Sequence, residues 1–215
     1  MDPDEQLVDR LSFGQALAKA FARKGVEVAI ASRRSTEALA PVAKAIGQTI
    51  IPKSLQDAVK ADIIILAIPF GTQKEVAKAA ESWQGKIVID VTNAYGVAPE
   101  ELGNLPSSVV ISQAFPGAKL VKAFNSLAAE VLAQDPNVKG GKRVVFLSSD
   151  DEGGAAQVAT LVEQLGFAPV HLGKLAEGGL LIQARGKTWA QLIFQDFVKF
   201  NRSNPLLKGD NHANA

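Results

Sequence analysis

Short apolar strands and helical stretches alternate along this chain, and that alternation restricts the folds open to it. "VEVAIASR", "DIIILAIP" and "KIVIDVTN" are runs rich in Val and Ile. Between them lie "STEALAPVAKAIG", "LQDAVKA" and "GTQKEVAKAAESW", which read as helices; the first opens on a Ser/Thr cap and ends at Gly47. Runs apolar on both faces suit strands covered by helices above and below. The predicted class is therefore α/β, a Rossmann-like doubly wound sheet with mainly parallel strands. "VVISQAFPG", "AKLVKAFNS", "KRVVFLSSD" and "APVHLG" are further strand candidates, and "EGGAAQVATLVEQLG" reads as a helix with Asp151 and Glu152 at its N-terminus. Residues 1–174 form the expected domain. Residues 175–215 are expected to be a small C-terminal helical segment with a polar tail.

Composition removes several chemistries. The chain has 215 residues, a formal net charge of +1 and no cysteine. Disulfides, thiolate metal sites and Cys nucleophiles are excluded, and no metal site is expected. The balanced charge gives no reason to expect nucleic acid or an anionic membrane as partner. The longest apolar run, "IIILAIPF", is too short to span a bilayer. "MDPDEQ" is acidic and unlike a signal peptide, so the expected location is cytoplasmic. His171 and His212 are the only imidazoles; His171 is read as a strand-end residue, not an acid.

The front of the chain is unusual. Phe13, Ala16, Leu17, Ala20 and Phe21 sit at helical spacing, and Gly25 stops that helix. A dinucleotide loop before it would carry G-x-G-x-x-G. Asp9 and Leu11 occupy the first two glycine slots, and only Gly14 fits the third.

Ligands of doubly wound sheets bind beyond the carboxyl ends of the strands. Those ends carry Ser32-Arg33-Arg34, Ile68-Pro69-Phe70, Thr92-Asn93 and Phe124-Asn125. About twenty residues after the Gly loop, an NAD site normally places an acidic residue on the ribose hydroxyls. Here Ser32, Arg33 and Arg34 stand instead, and guanidinium forks pair with a 2′-phosphate. Taken alone, the two arginines read as solvated charges in a turn; their distance after Gly14 favours the phosphate reading. Pro69 ends a strand or walls a cleft, and Asn93 makes a turn or holds a sugar or carboxamide. Lys122 is read as a solvated charge.

In this order "VAIASRR", "DIIILAIPF", "KIVIDVTNAYG", "FPGAKLVKAFNSL" and "GGLLIQ" resemble the NADP oxidoreductases of the deazaflavin-coenzyme-dependent family. The N-terminal domain of pyrroline-5-carboxylate reductase and the cytosolic domain of the STEAP metalloreductases are similar relatives. The resemblance runs from about Gly14 to about Phe200. It implies bound NADP(H) and hydride transfer to a deazaflavin, a flavin or a small acceptor. It places the adenine-side phosphate on Ser32, Arg33 and Arg34, the cleft wall on Ala67, Ile68 and Pro69, and the nicotinamide on Asn93, Ala123 and Asn125, with Gly14 at the helix start. No acid–base pair stands out, and a hydride transfer between cofactors needs positioning more than proton transfer. The catalytic residues are unassigned.

The departure from the family is the missing apolar first strand and the incomplete Gly loop. A mispredicted start, an altered form or a degenerate homologue would each produce it. The expected function is an NADP(H)-dependent oxidoreductase; the alternative is a nucleotide-binding Rossmann module without catalysis. Leu180, Leu181, Trp189, Leu192, Ile193, Phe197 and Phe200 give the tail an apolar load that is expected to cover the cleft, pack on its own sheet or form a homodimer.

Overall fold

The computed structural model describes residues 12–183 and 196–200. Helix α1 (Phe13–Arg23) starts where Ser12 caps it, the Ser12 Oγ accepting from the Gln15 N–H at 3.2 Å. Its buried face is Ala16, Leu17, Ala20 and Phe21. Gly25, in the left-handed region at φ 66°, turns the chain toward β1 (Val28–Ile30). Helix α2 (Thr36–Ile46) is capped by Ser35 and leads to β2 (Ile50–Pro52), which runs parallel to β1 with Val28 opposite Ile50.

A larger sheet begins with β3 (Ile63–Leu66), β4 (Ile87–Asp90) and β5 (Lys119–Ala123), all parallel. The long strand β7 (Gly141–Ser149) joins β5 antiparallel and carries β8 (Ala168–His171) in parallel. Two short strands, β6 (Asn137–Val138) and β9 (Val198–Phe200), also pair with β7. The connections hold α3 (Leu55–Ala58), α4 (Gln73–Ala77), α5 (Ser107–Ser112), α6 (Ala129–Leu132), α7 (Glu152–Gln164) and α8 (Gly178–Ile182).

Helices cover both faces of this sheet. On one, Leu17, Ala20 and Phe21 of α1 and Val158 and Val162 of α7 pack on Ile87, Ile89, Val121 and Val145. On the other, Trp83 meets Phe115 edge to face at 4.7 Å over Val88, Leu66 and Ile111. The expected Rossmann-like α/β fold is thus present.

Its irregularity lies between β1 and β3. Among the described residues, β1–β2 and the larger sheet share no hydrogen-bonded edge. In the doubly wound order one strand separates these two positions. All of β1, and Ile63 to Ile65 of β3, are half-buried, whereas every residue of β4 is buried. Within "DIIILAIP", β3 is the end strand of the larger sheet among the described residues. Helix α1 spans the seam, because Val28, Ile63 and Ile65 all pack against the core that holds its buried face.

Two other expectations change. "VVISQAFPG" contributes a helix, α5, instead of a strand: Pro106 starts it, and one turn buries Ile111 completely and carries Ser108 to Asp90. Tertiary packing overrides the strand preference of its β-branched residues. In the tail, Val198–Phe200 is strand β9 and not helix, and Gly178–Ile182 is the helical part described. Trp189, Leu192 and Ile193 lie outside the described residues.

Candidate functional site

The carboxyl ends of β3, β4 and β5 open onto one cleft of about 580 Å³, a size that suits a small ligand or part of a cofactor. Ala67, Ile68, Pro69 and Phe70 form one wall; Thr92, Asn93 and Tyr95 form another; Asn125 to Ala129 complete it. Phe13, the first residue of α1, also lines it, so the helix N-terminal end opens onto the cleft. The first-turn amides there lack intrahelical acceptors and favour anions.

Beneath the cleft lies a buried charged cluster. Lys122 Nζ donates to Asp90 Oδ2 at 3.0 Å and to the Thr92 carbonyl at 2.7 Å. The other Asp90 oxygen accepts from the Thr92 N–H and hydroxyl at 2.9 and 2.7 Å, and Ser108 donates to Oδ2 at 2.8 Å. Neither side chain of the ion pair is exposed at all. Lys122 is thus no solvated charge, contrary to the sequence expectation. Its position in β5, opposite Asp90 of β4, gives it a partner that makes burial tolerable.

Directly above, two amides interlock. The Asn93 side chain donates to the Asn125 carbonyl, and the Asn125 side chain donates to Asn93 Oδ1, both at 3.0 Å. Asn125 Nδ2 also donates to the Ile182 carbonyl at 2.7 Å, so α8 is tied to the same pair. Gln183 accepts from the Ser107 N–H at 2.8 Å and ties the α8 end to α5. The backbone that aims Asn125 is strained: Phe124 sits at φ 62° and is completely buried. Its ring stays fixed by edge contact with Phe167.

The structure thus brings Ala67, Ile68, Pro69, Asn93 and Asn125 into one cleft. Ala123 is fully buried in β5 and does not line it. Gly14 faces Ala67, but a Cβ at Gly14 would stand 3.6 Å from the Ala67 Cβ, an ordinary contact. Close helix–strand approach is present, yet it does not require glycine. Ser32, Arg33 and Arg34 are exposed in the loop after β1, outside the cleft lining. Ser32 Oγ accepts from the Arg34 N–H at 3.0 Å, and Arg33 pairs with Glu75. Phe70 was read as a strand-end residue, whereas Phe13, Tyr95 and Ser126 to Ala129 were not assigned to the cleft by sequence. They follow the strand ends or start a helix, so distance from a strand end was the available signal.

Among the described residues no group of acidic or imidazole side chains could hold a metal ion, and His171 is exposed at the end of β8. Among the described residues, Tyr95 is the one titratable side chain lining the cleft. Among the described residues no helix is long and apolar enough to cross a membrane.

Fold and cleft define a Rossmann-type α/β protein with an open cleft at its strand ends. Residues 10–94 match the family model of the NADP oxidoreductases, coenzyme F420-dependent. The crystal structure of a hypothetical protein, SMa0349 from Sinorhizobium meliloti, is 37% identical with a TM-score of 0.78, over 88% of this chain and 91% of that one. A candidate F420-dependent NADP-reductase from Arthrobacter sp. FB24 is 25% identical with a TM-score of 0.65, over 88% and 96%. Metalloreductase STEAP3 of Rattus norvegicus is 27% identical over 168 residues, 76% of this chain and 32% of that protein. The chain thus spans about a third of that curated relative. It belongs to an NADP-dependent oxidoreductase family.

The described residues fit NADP(H) at its two ends. Accessible Arg33 and Arg34 offer charge to a 2′-phosphate, and the flat Ala67–Pro69 wall faces an amide pair suited to a ribose or carboxamide.

Proposed function

We propose that the protein is an NADP(H)-dependent reductase that passes hydride between the nicotinamide and a flavin-like or small organic acceptor. The observation that carries this reading is the interlocked Asn93–Asn125 pair set opposite Ala67–Pro69 in one cleft. The nicotinamide, when bound, supplies the hydride chemistry. The chain's own residues bind and orient. Ile68 and Pro69 exclude water from one face, Asn93 and Asn125 hold polar edges, and Arg33 and Arg34 select the phosphate-bearing cofactor. The buried Asp90–Lys122 pair holds the Thr92–Asn93 turn in place.

The apolar cleft lining equally supports a second reading, a nucleotide-binding module without turnover. A thermal shift with NADPH and with NADH tests binding. Trp83 packs on Phe115 and is not a cleft residue, so its fluorescence is the weaker readout. NADPH oxidation followed by absorbance with deazaflavin, flavin, ferric-chelate and imine acceptors then separates the readings. Binding with turnover of one acceptor supports the reductase; binding with none supports the module; a chain that shifts with neither cofactor overturns both.

A further inference from the structure

We propose that Glu75 is a counter-ligand of Arg33 that limits how tightly this protein holds a 2′-phosphate, an inference that rests on the NADP(H) reading above. Arg33 Nη2 and Glu75 Oε2 are 2.9 Å apart. The first residue follows β1 and the second lies in α4, which follows β3. Their strands belong to sheets that share no hydrogen-bonded edge among the described residues, so this ion pair bridges the seam.

Both side chains are mostly exposed, at 72% and 63%. An exposed pair of long side chains is weakly held and easily displaced. A phosphate is a better partner for the guanidinium, because its oxygens take two parallel hydrogen bonds from the fork. Yet the carboxylate occupies one of the outer nitrogens and adds a negative charge beside an incoming dianion. A ribose with a free 2′-hydroxyl meets no such repulsion, and a carboxylate can accept its hydrogen bond. Glu75 therefore penalises the phosphorylated cofactor and spares the other. Arg33 attracts the 2′-phosphate, and Glu75 sets the size of the preference.

The test uses the full chain and calorimetric titration with adenosine 2′,5′-bisphosphate and with AMP. Glu75→Gln is expected to tighten the bisphosphate about three- to tenfold and to change AMP by less than about twofold. The gain should vanish when Arg33→Ala is added, and shrink in about 1 M salt, where the Debye length is about 3 Å. An unchanged or weaker bisphosphate affinity overturns the inference. So does an equal gain for AMP, or a gain that survives without Arg33. If the wild-type chain binds NADPH but ignores the Glu75 change, this inference fails alone. If neither form binds NADPH or the bisphosphate, it falls together with the reading beneath it.

Discussion

Lys122 reaches Asp90 across 3.0 Å from the neighbouring strand, with both side chains shut off from water. Such a pair is weak evidence of stability in itself, because desolvation offsets much of the attraction. Breaking it is another matter. Lys122→Met leaves Asp90 buried without its cation and is expected to destabilise the fold by about 3–5 kcal/mol. Adding Asp90→Asn should recover a substantial part, because the amide oxygen can still accept from the Thr92 N–H and hydroxyl while the amide nitrogen donates to the Ser108 oxygen, and no buried charge is left unpaired. Urea unfolding of the two variants checks this; a double variant as unstable as the single one would contradict it.

Cofactor choice rests on the loop after β1. Replacing Arg33 and Arg34 by Ala should weaken NADPH and leave NADH nearly unchanged. Each charge-assisted contact is worth about 1.5–3 kcal/mol, roughly ten- to a hundredfold in affinity. Equal losses for both cofactors would show that the arginines do not read the phosphate.

Gly14 and Gly178 should respond in opposite directions to an added Cβ. Gly14 lies in α1, with room for a Cβ. Gly14→Ala is expected to stabilise by about 0.5–1 kcal/mol through helix propensity. A Cβ at Gly178 would run into the Leu172 carbonyl oxygen, the Leu172 side chain and Ser148 Oγ. Gly178→Ala should therefore lower the melting temperature, since the backbone of β8's exit loop must move.

Among the described residues, β1 and β3 share no hydrogen-bonded edge. Replacing Met1 to Leu11 by an apolar strand ending in Gly-x-Gly should pair both. The expected gain is at least about 4 °C in melting temperature, equivalent to roughly 1–2 kcal/mol for a chain of this size, with tighter NADPH binding. If the unaltered chain already binds NADPH at micromolar affinity and the graft adds nothing, "VDRLSFG" is a working form of the loop.

Acid should loosen specific turns first. Asp57 is held below its ordinary range by the Lys60 ammonium and the Ser54 hydroxyl. Asp135 is held down by the backbone and side-chain N–H groups of Asn137. A carboxyl with a depressed folded-state value adds stability that is fully present above its unfolded value and is lost as pH falls through the folded one. The loss therefore begins below about pH 4. Asp57→Asn with Asp135→Asn should flatten the dependence of melting temperature on pH in that range.

Much of the fold and half of the site were legible along the chain. The cap at Ser35 and the helix start at Asp151 were readable because such side chains accept from a backbone N–H three residues on, as Ser12 also does. The strand-end positions of Pro69, Asn93 and Asn125 were readable because a parallel sheet with short connections must put its ligands there. The departure at the front was visible as Asp9 and Leu11 in two of the three glycine slots, and among the described residues β1–β2 and the larger sheet share no hydrogen-bonded edge.

What sequence could not settle was anything decided by partners distant along the chain. The helix at Ser107–Ser112 owes its existence to a buried pocket beside Asp90, not to its β-branched residues. Lys122 and Asp90 are 32 residues apart, as are Asn93 and Asn125, and Arg33 and Glu75 are 42 apart. Local propensity and periodicity register bonds within a turn or along one strand. The free energy of a charged or amide group depends on which groups surround it and how much water is excluded. Only the tertiary fold, by setting β4 against β5 and α4 beside the loop after β1, gave Lys122 its counter-charge, Asn125 its reciprocal amide and Arg33 its carboxylate.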